Sequence, residues 1–152
     1  MPATRINHVS IVADSLDESA RFYEELFGME RLPTAKFPEP VLWLRLGGQQ
    51  LHLFTSDEDS PTPRQHVAFE VEDFDALYAK AKAMGLLDSR AFGSPLRTHP
   101  AGWVQLYLRD PAGNLVEVDW PDRSTLAPET LADATELGGQ EGEAAVATLY
   151  TA

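Results

Sequence analysis

Four positions combine metal-compatible side chains with a repeated spacing: His8, His66, His52 and Glu117. Ile6-Asn7-His8-Val9-Ser10-Ile11 aligns with Arg64-Gln65-His66-Val67-Ala68-Phe69 at an offset of 58 residues, so the two histidines hold equivalent places in an internal duplication. A second alignment, Gly48 on Gly113 at an offset of 65, sets Leu51-His52-Leu53 on Val116-Glu117-Val118. A single histidine on a strand is ordinarily a hydrogen-bonded structural or surface residue. Recurrence of one residue type at equivalent positions is what raises His8, His66 and Glu117 to a candidate ligand set. Two neutral imidazoles and a carboxylate suit a divalent ion and leave coordination positions open. Such an ion can polarise a substrate oxygen or serve as the place where O2 and substrate meet. His52 stays open between a further ligand and an acid/base group. His99, followed by Pro100 in a loop, reads as structural or exposed, with a proton shuttle as the alternative. Asp119 and Glu70 read as solvated charges at strand ends.

The elements that must position these groups repeat as strand, turn, helix and glycine stop. Ser15-Leu16-Asp17-Glu18 has the form of a capping box, and the first helix runs from it to Gly28, with Leu16, Ala20, Tyr23 and Phe27 as its apolar stripe. Asp73 suits the N-cap of a second helix that carries Phe74, Leu77, Ala81 and Met84 to a stop at Gly85. Strands are expected at Val41 to Leu46 and Leu51 to Phe54 across Gly47-Gly48. The second copy matches them at Trp103 to Leu108 and Leu115 to Val118, across Asp110-Pro111-Ala112-Gly113-Asn114. A weaker strand at Glu30 to Ala35, and another at Ser89 to Gly93, would make each copy βαβββ.

Side chains alternate faces along a strand. Val9 and Ile11 therefore oppose His8 and Ser10, and Val67 and Phe69 oppose His66, Ala68 and Glu70. Once the apolar faces are assigned to the helices, the other faces carry His8, His52 with Phe54, His66, and Glu117 with Asp119. Trp43 and Arg45 join them from one hairpin, and Trp103, Gln105 and Tyr107 from the other. Polar and aromatic groups mixed on one face suit a ligand cavity better than open surface.

The 152 residues are 43% hydrophobic, enough for one domain over 1–121. Module one is expected at 5–55, an acidic, proline-bearing linker at 56–63, and module two at 64–120. The absence of cysteine excludes thiolate metal sites and cysteine nucleophiles, so a metal must use His, carboxylate and water. A formal charge of −12 disfavours nucleic acid and anionic membranes as partners. Residues 122–152 hold −5 of that charge and read as an acidic tail. Its stretch Leu126 to Ala134 is expected to be helical, with Leu126, Leu131, Leu137, Val146, Leu149 and Tyr150 buried against a second subunit or the cavity rim. No apolar run reaches membrane-spanning length and no signal-peptide pattern is present, which leads to a cytoplasmic expectation.

Taken together, Asn7-His8-Val9 with Phe22-Tyr23-Glu24-Glu25-Leu26-Phe27-Gly28, then His66-Val67-Ala68-Phe69, then Asp110-Pro111-Ala112-Gly113-Asn114-Leu115-Val116-Glu117, resemble the vicinal oxygen chelate superfamily over about positions 5 to 120. This is the group of glyoxalase I, fosfomycin-resistance proteins, bleomycin-resistance proteins and extradiol dioxygenases. The resemblance implies an α+β fold of two tandem βαβββ modules forming an open cupped mixed sheet around a metal site, often as a homodimer. It implies His8, His66 and Glu117 as ligands of a divalent ion (Fe, Mn, Ni or Zn). His52 and Tyr107 are then the acid/base candidates, and Trp43, Arg45, Phe54, Trp103 and Gln105 the substrate-binding ones. Glyoxalase I has a glutamate where this chain has His52, and an imidazole there is a weaker base, which argues against methylglyoxal chemistry. The expected function is a metal-dependent lyase, isomerase or ring-cleaving dioxygenase acting on a small molecule. The alternative is a metal-free sequestering protein of the bleomycin-resistance type, with Trp43, Trp103 and Tyr107 as stacking walls.

Overall fold

The computed structural model describes residues 7–34, 36, 40–55 and 64–150. The linker expected at 56–63 lies outside them. The first copy folds as β1 (His8–Val12), α1 (Leu16–Phe27), β2 (Glu30–Leu32), β3 (Val41–Leu46) and β4 (Gln49–Phe54). The second folds as β5 (His66–Glu70), α2 (Phe74–Ala83), β6 (Leu96–Thr98), β7 (Val104–Arg109) and β8 (Leu115–Trp120). Each is βαβββ, and together they make the mixed α+β architecture with one sheet per copy. The first sheet has the order β1-β4-β3-β2; the second runs β5-β8-β7-β6 and gains β9 (Thr135–Glu136) from the tail. The chain divides into two compact units, residues 1–65 with 110–114, and residues 66–109 with 115–152.

In the first unit, the Ser15 side chain accepts from the Glu18 N–H and Gly28 closes α1 at φ 63°, the left-handed value that favours glycine. Leu44 and Leu51 face each other across β3 and β4, and both are fully buried with Leu53, Ala20 and Tyr23. Burying each such leucine contributes roughly 2 kcal/mol. Gly47-Gly48 makes a two-residue hairpin that lets β4 begin at Gln49, two residues earlier than expected.

In the second unit, Asp73 caps α2 by accepting from the Ala76 N–H at 2.9 Å, and Phe74, Leu77, Tyr78 and Ala81 form the helix's buried face. Leu106 pairs with Val118, and Leu108 with Val116, to make the apolar side of its sheet. The weak strand expected at Ser89 to Gly93 is instead a turn, and the strand falls at Leu96–Thr98. The buried Asp88 carboxylate dictates this, because it accepts from the Ala91 N–H at 2.9 Å and pulls the backbone round.

The tail departs from its expected form. Its helix α3 is one turn, Pro128–Leu131, and the tail then supplies β9 beside β6. Leu126 is buried as expected, whereas Val146 and Leu149 are exposed, at 75% and 44%. Thr130, an unexpected buried residue, donates its hydroxyl to Asp75 Oδ1 at 2.6 Å. The tail thus packs on the second unit of its own chain, anchored by polar contacts to α2 and pairing with β6 where a leucine-led dock was expected. No helix among the described residues is long and apolar enough to cross a membrane.

Candidate functional site

In the first unit, β1 and β4 run parallel in a register that sets Ser10 against His52, while β3 sets Trp43 against His52 from the other side. The outcome is a column of three rings. His8 stacks on His52 at 4.3 Å between centroids, and Trp43 stacks on His52 at 4.7 Å, both with 13° between planes. The His8 Nδ1–H donates to Asn7 Oδ1 at 3.0 Å, which leaves Nε2 as the lone-pair nitrogen. The His52 Nε2–H donates to Gln50 Oε1 at 2.8 Å, so Nδ1 is its lone-pair nitrogen. Burial, and then the neighbouring His8, hold the His52 imidazole below the usual histidine range. Arg45 shares the face but reaches outward to Glu30, with its side chain 57% exposed. Phe54 lies on the same side of β4 as His52, opposite Val41 and Val12.

In the second unit, Glu117 on β8 sits between Ala68 of β5 and Tyr107 of β7. Its carboxylate is almost fully buried, at 3% exposure, and is held from three directions. His66 Nε2 lies 3.1 Å from Glu117 Oε2, Gln105 donates its amide N–H to Oε1 at 2.6 Å, and the Tyr107 hydroxyl donates to the same carboxylate. Burial, followed by the Glu117 charge, pushes the Tyr107 phenol well up, so it remains a protonated donor at neutral pH. Asp119 is buried on the same face of β8, a correction to its reading as a solvated strand end. Burial, the hydrogen bond to Glu117 and the Glu117 charge push Asp119 up to about 8, with a smaller contribution from Glu70. Trp103 stacks on His99 at 4.2 Å and donates its indole N–H to the Ala147 carbonyl at 2.8 Å.

His66 and Glu117 are thus in contact, and His8 and His52 are stacked in the other unit. Among the described residues no three His, Asp or Glu side chains are gathered where an ion could be held. The donor chemistry of the second-unit pair fits a metal. Two ligand atoms each about 2.1 Å from one ion at right-angled to tetrahedral geometry are about 3.0–3.4 Å apart. The 3.1 Å between His66 Nε2 and Glu117 Oε2 falls in that span. The Gln105 and Tyr107 donors orient the carboxylate as second partners of ligands do. His99 is structural: its Nδ1 accepts from the Ala101 N–H at 3.0 Å and its Nε2–H donates to Gln140 Oε1 at 3.2 Å.

Comparison with known proteins identifies the family and the fold. Residues 5–118 match the Glyoxalase/Bleomycin resistance protein/Dioxygenase superfamily. The chain belongs to that superfamily. Among curated relatives, Glyoxylase I 4 of Arabidopsis thaliana is 28% identical over 127 residues, covering 76% of this chain and 70% of that protein. Among solved structures, lactoylglutathione lyase from Agrobacterium tumefaciens is 30% identical, with a TM-score of 0.59 over 78% of this chain and 94% of that one. The oxidase ChaP-H2 is 25% identical, with a TM-score of 0.62 over 80% and 99%. The superfamily therefore hosts lyase and oxidase chemistry on one fold, and the residues lining each member's site must divide them.

The sequence placed Asp119 on the face of Glu117 but as a solvated charge, and named Tyr150 only as a residue buried against a second subunit or the cavity rim; Gln140 it did not reach. Asp119 carried a usable signal, since it lies two residues beyond Glu117 on one strand and so shares its face. Gln140 carried none, because its approach to His99 depends on where the tail turns back.

Proposed function

We propose that this protein is a divalent-metal-dependent enzyme acting on a small molecule, with His8, His66 and Glu117 as the metal ligands. The observation that carries the reading is the contact between His66 and a buried Glu117 whose other oxygen is already held by Gln105. An isolated buried carboxylate is costly, and one oriented by neutral donors beside an imidazole nitrogen is arranged to receive a cation. When bound, the ion would supply Lewis-acid polarisation of vicinal substrate oxygens. Superfamily members commonly use divalent metals.

The chain's own groups then divide the remaining work. Tyr107, kept protonated, donates a hydrogen bond toward an oxygen at the Glu117 side. His52, kept neutral, offers Nδ1 as a proton acceptor on the His8 side, a role suited to a lyase, isomerase or oxygenase step. Trp43 and Trp103 bring flat walls, Phe54 an apolar one, and Arg45 and Gln105 polar ones. The reading includes a cytoplasmic homodimer, since each sheet ends in edge strands that proteins tend to pair or cover.

Elemental analysis of protein purified without chelator, followed by anaerobic reconstitution with Fe(II) and a catechol, tests the proposal. Stoichiometric metal that is lost in both His66→Ala and Glu117→Gln is the expected result. Iron with O2 uptake assigns a dioxygenase, and Ni, Zn or Mn without O2 uptake assigns a lyase or isomerase. A second reading, metal-free sequestration of a planar molecule, is favoured by the ring column of Trp43, His52 and His8. Absence of metal in every preparation, with planar ligands quenching tryptophan fluorescence, would establish it instead.

A further inference from the structure

The tail returns across the face of the second sheet that carries Glu117. After β9, the Leu137 N–H donates to the Thr98 carbonyl, the Gln140 side chain meets His99, and the Ala147 carbonyl accepts from Trp103. Trp103, Gln105, Glu117 and Asp119 occupy one side of β7 and β8, so these contacts lay residues 137–150 over the carboxylates. At the end of this stretch the Tyr150 hydroxyl is buried and has no hydrogen-bond partner, and Asp119 Oδ1 is buried and likewise unpartnered. Burial, and then the nearby charges of Asp119, Glu70 and Glu117, push the Tyr150 phenol up.

A segment closed for folding alone would satisfy its polar groups, because a buried hydroxyl without a partner costs free energy that water would return on opening. This one closes with two polar atoms unsatisfied, exposes Val146 and Leu149, and is tied near its end by a single indole bond. Its closed state is therefore inexpensive to open, the character expected of elements that move.

We propose that residues 137–150 form a strap that seals Glu117 and Asp119 from solvent through Tyr150 and must lift for a ligand to reach them. The inference rests on Glu117 belonging to the functional site, and its test is independent of any metal. The chain lacks cysteine, so Asp119→Cys introduces a unique thiol beneath Tyr150, and Ala79→Cys on the exposed side of α2 gives an open reference. With a thiol-reactive disulfide as probe, the buried thiol should react at least about tenfold more slowly than the reference, the factor set by the closed fraction. Adding Tyr150→Ala, or separately Gln140→Ala, should speed the reaction toward the reference, with melting temperature as the check that each variant is folded. Equal reactivity of the two thiols in the full chain, or rates unmoved by both release variants, would overturn the strap. Failure of the metal reading shows separately, as no bound metal in strapped and released forms alike, and leaves the labelling comparison intact.

Discussion

The Tyr23 hydroxyl donates to Asp110 Oδ2 at 2.9 Å, joining α1 to a loop 87 residues further along the chain. Asp110 also accepts from the backbone N–H groups of Ala112 and Asn114, while the Asn114 side-chain amide donates to both Asp110 and the Val12 carbonyl. The Asp-Pro-Ala-Gly-Asn run is therefore a structural knot. It groups with the first unit although it interrupts β7 and β8 of the second. Its motif character comes from a fully hydrogen-bonded buried carboxylate.

Tyr23→Phe removes one donor from this knot and should cost about 1–3 kcal/mol, the penalty for a buried group left short of a partner. Asp110→Ala should cost more, since it orphans Tyr23, Ala112 and Asn114 together. Urea unfolding of the three proteins measures both differences, and equal midpoints would show the knot to be passive.

Asp88 is a buried carboxylate of the second unit whose ionised form the fold favours. Burial alone would raise its carboxyl, but the Ala91 N–H and the Arg109 guanidinium outweigh burial and hold it below 3.8. A carboxyl depressed in the folded state stabilises above its unfolded pKa, and that contribution disappears as pH falls through the folded value. Wild-type stability should thus decline below about pH 4, and Asp88→Asn should be less stable at neutral pH with a shallower acid decline. Parallel pH–stability curves would remove Asp88 from the account.

Gln105→Ala should weaken metal binding by about 10- to 100-fold without removing a ligand, since the amide orients Glu117 from 2.6 Å. Competition against a chelator reads the affinity. An unchanged constant would mean that the hydrogen bond does not hold the carboxylate in its ligating pose.

The start of the tail hangs on Asp75, which accepts from the Thr130 hydroxyl and, at 3.0 Å, from the Ala127 N–H. Asp133 adds contacts to Tyr78 and Lys82. Asp75→Ala should cost about 0.5–2 kcal/mol, as loss of a helix cap does. It should also raise amide exchange at 127–132 ahead of the rest of the unit. Exchange that rises uniformly would indicate a global effect in place of a local anchor.

Local chemistry made much of this molecule legible in one dimension. Ser15, Gly28 and Asp73 act at helix ends through neighbours within four residues, and the alternation of His66, Ala68 and Glu70 with Val67 and Phe69 is a consequence of strand pleating. The duplicated motif placed His8 and His66 on equivalent strands, and a second alignment at an offset of 65 placed Glu117 at the position equivalent to His52. Tertiary structure alone decided the rest. That Gln105 and Tyr107 converge on Glu117 depends on the register of β7 against β8, and that Trp43, His52 and His8 stack depends on β4 lying between β1 and β3. The burial of Asp119 and the seat of Tyr150 arise from contacts between residues tens of positions apart. Pattern and propensity are local averages, whereas desolvation is set by whichever distant segment arrives to cover a side chain.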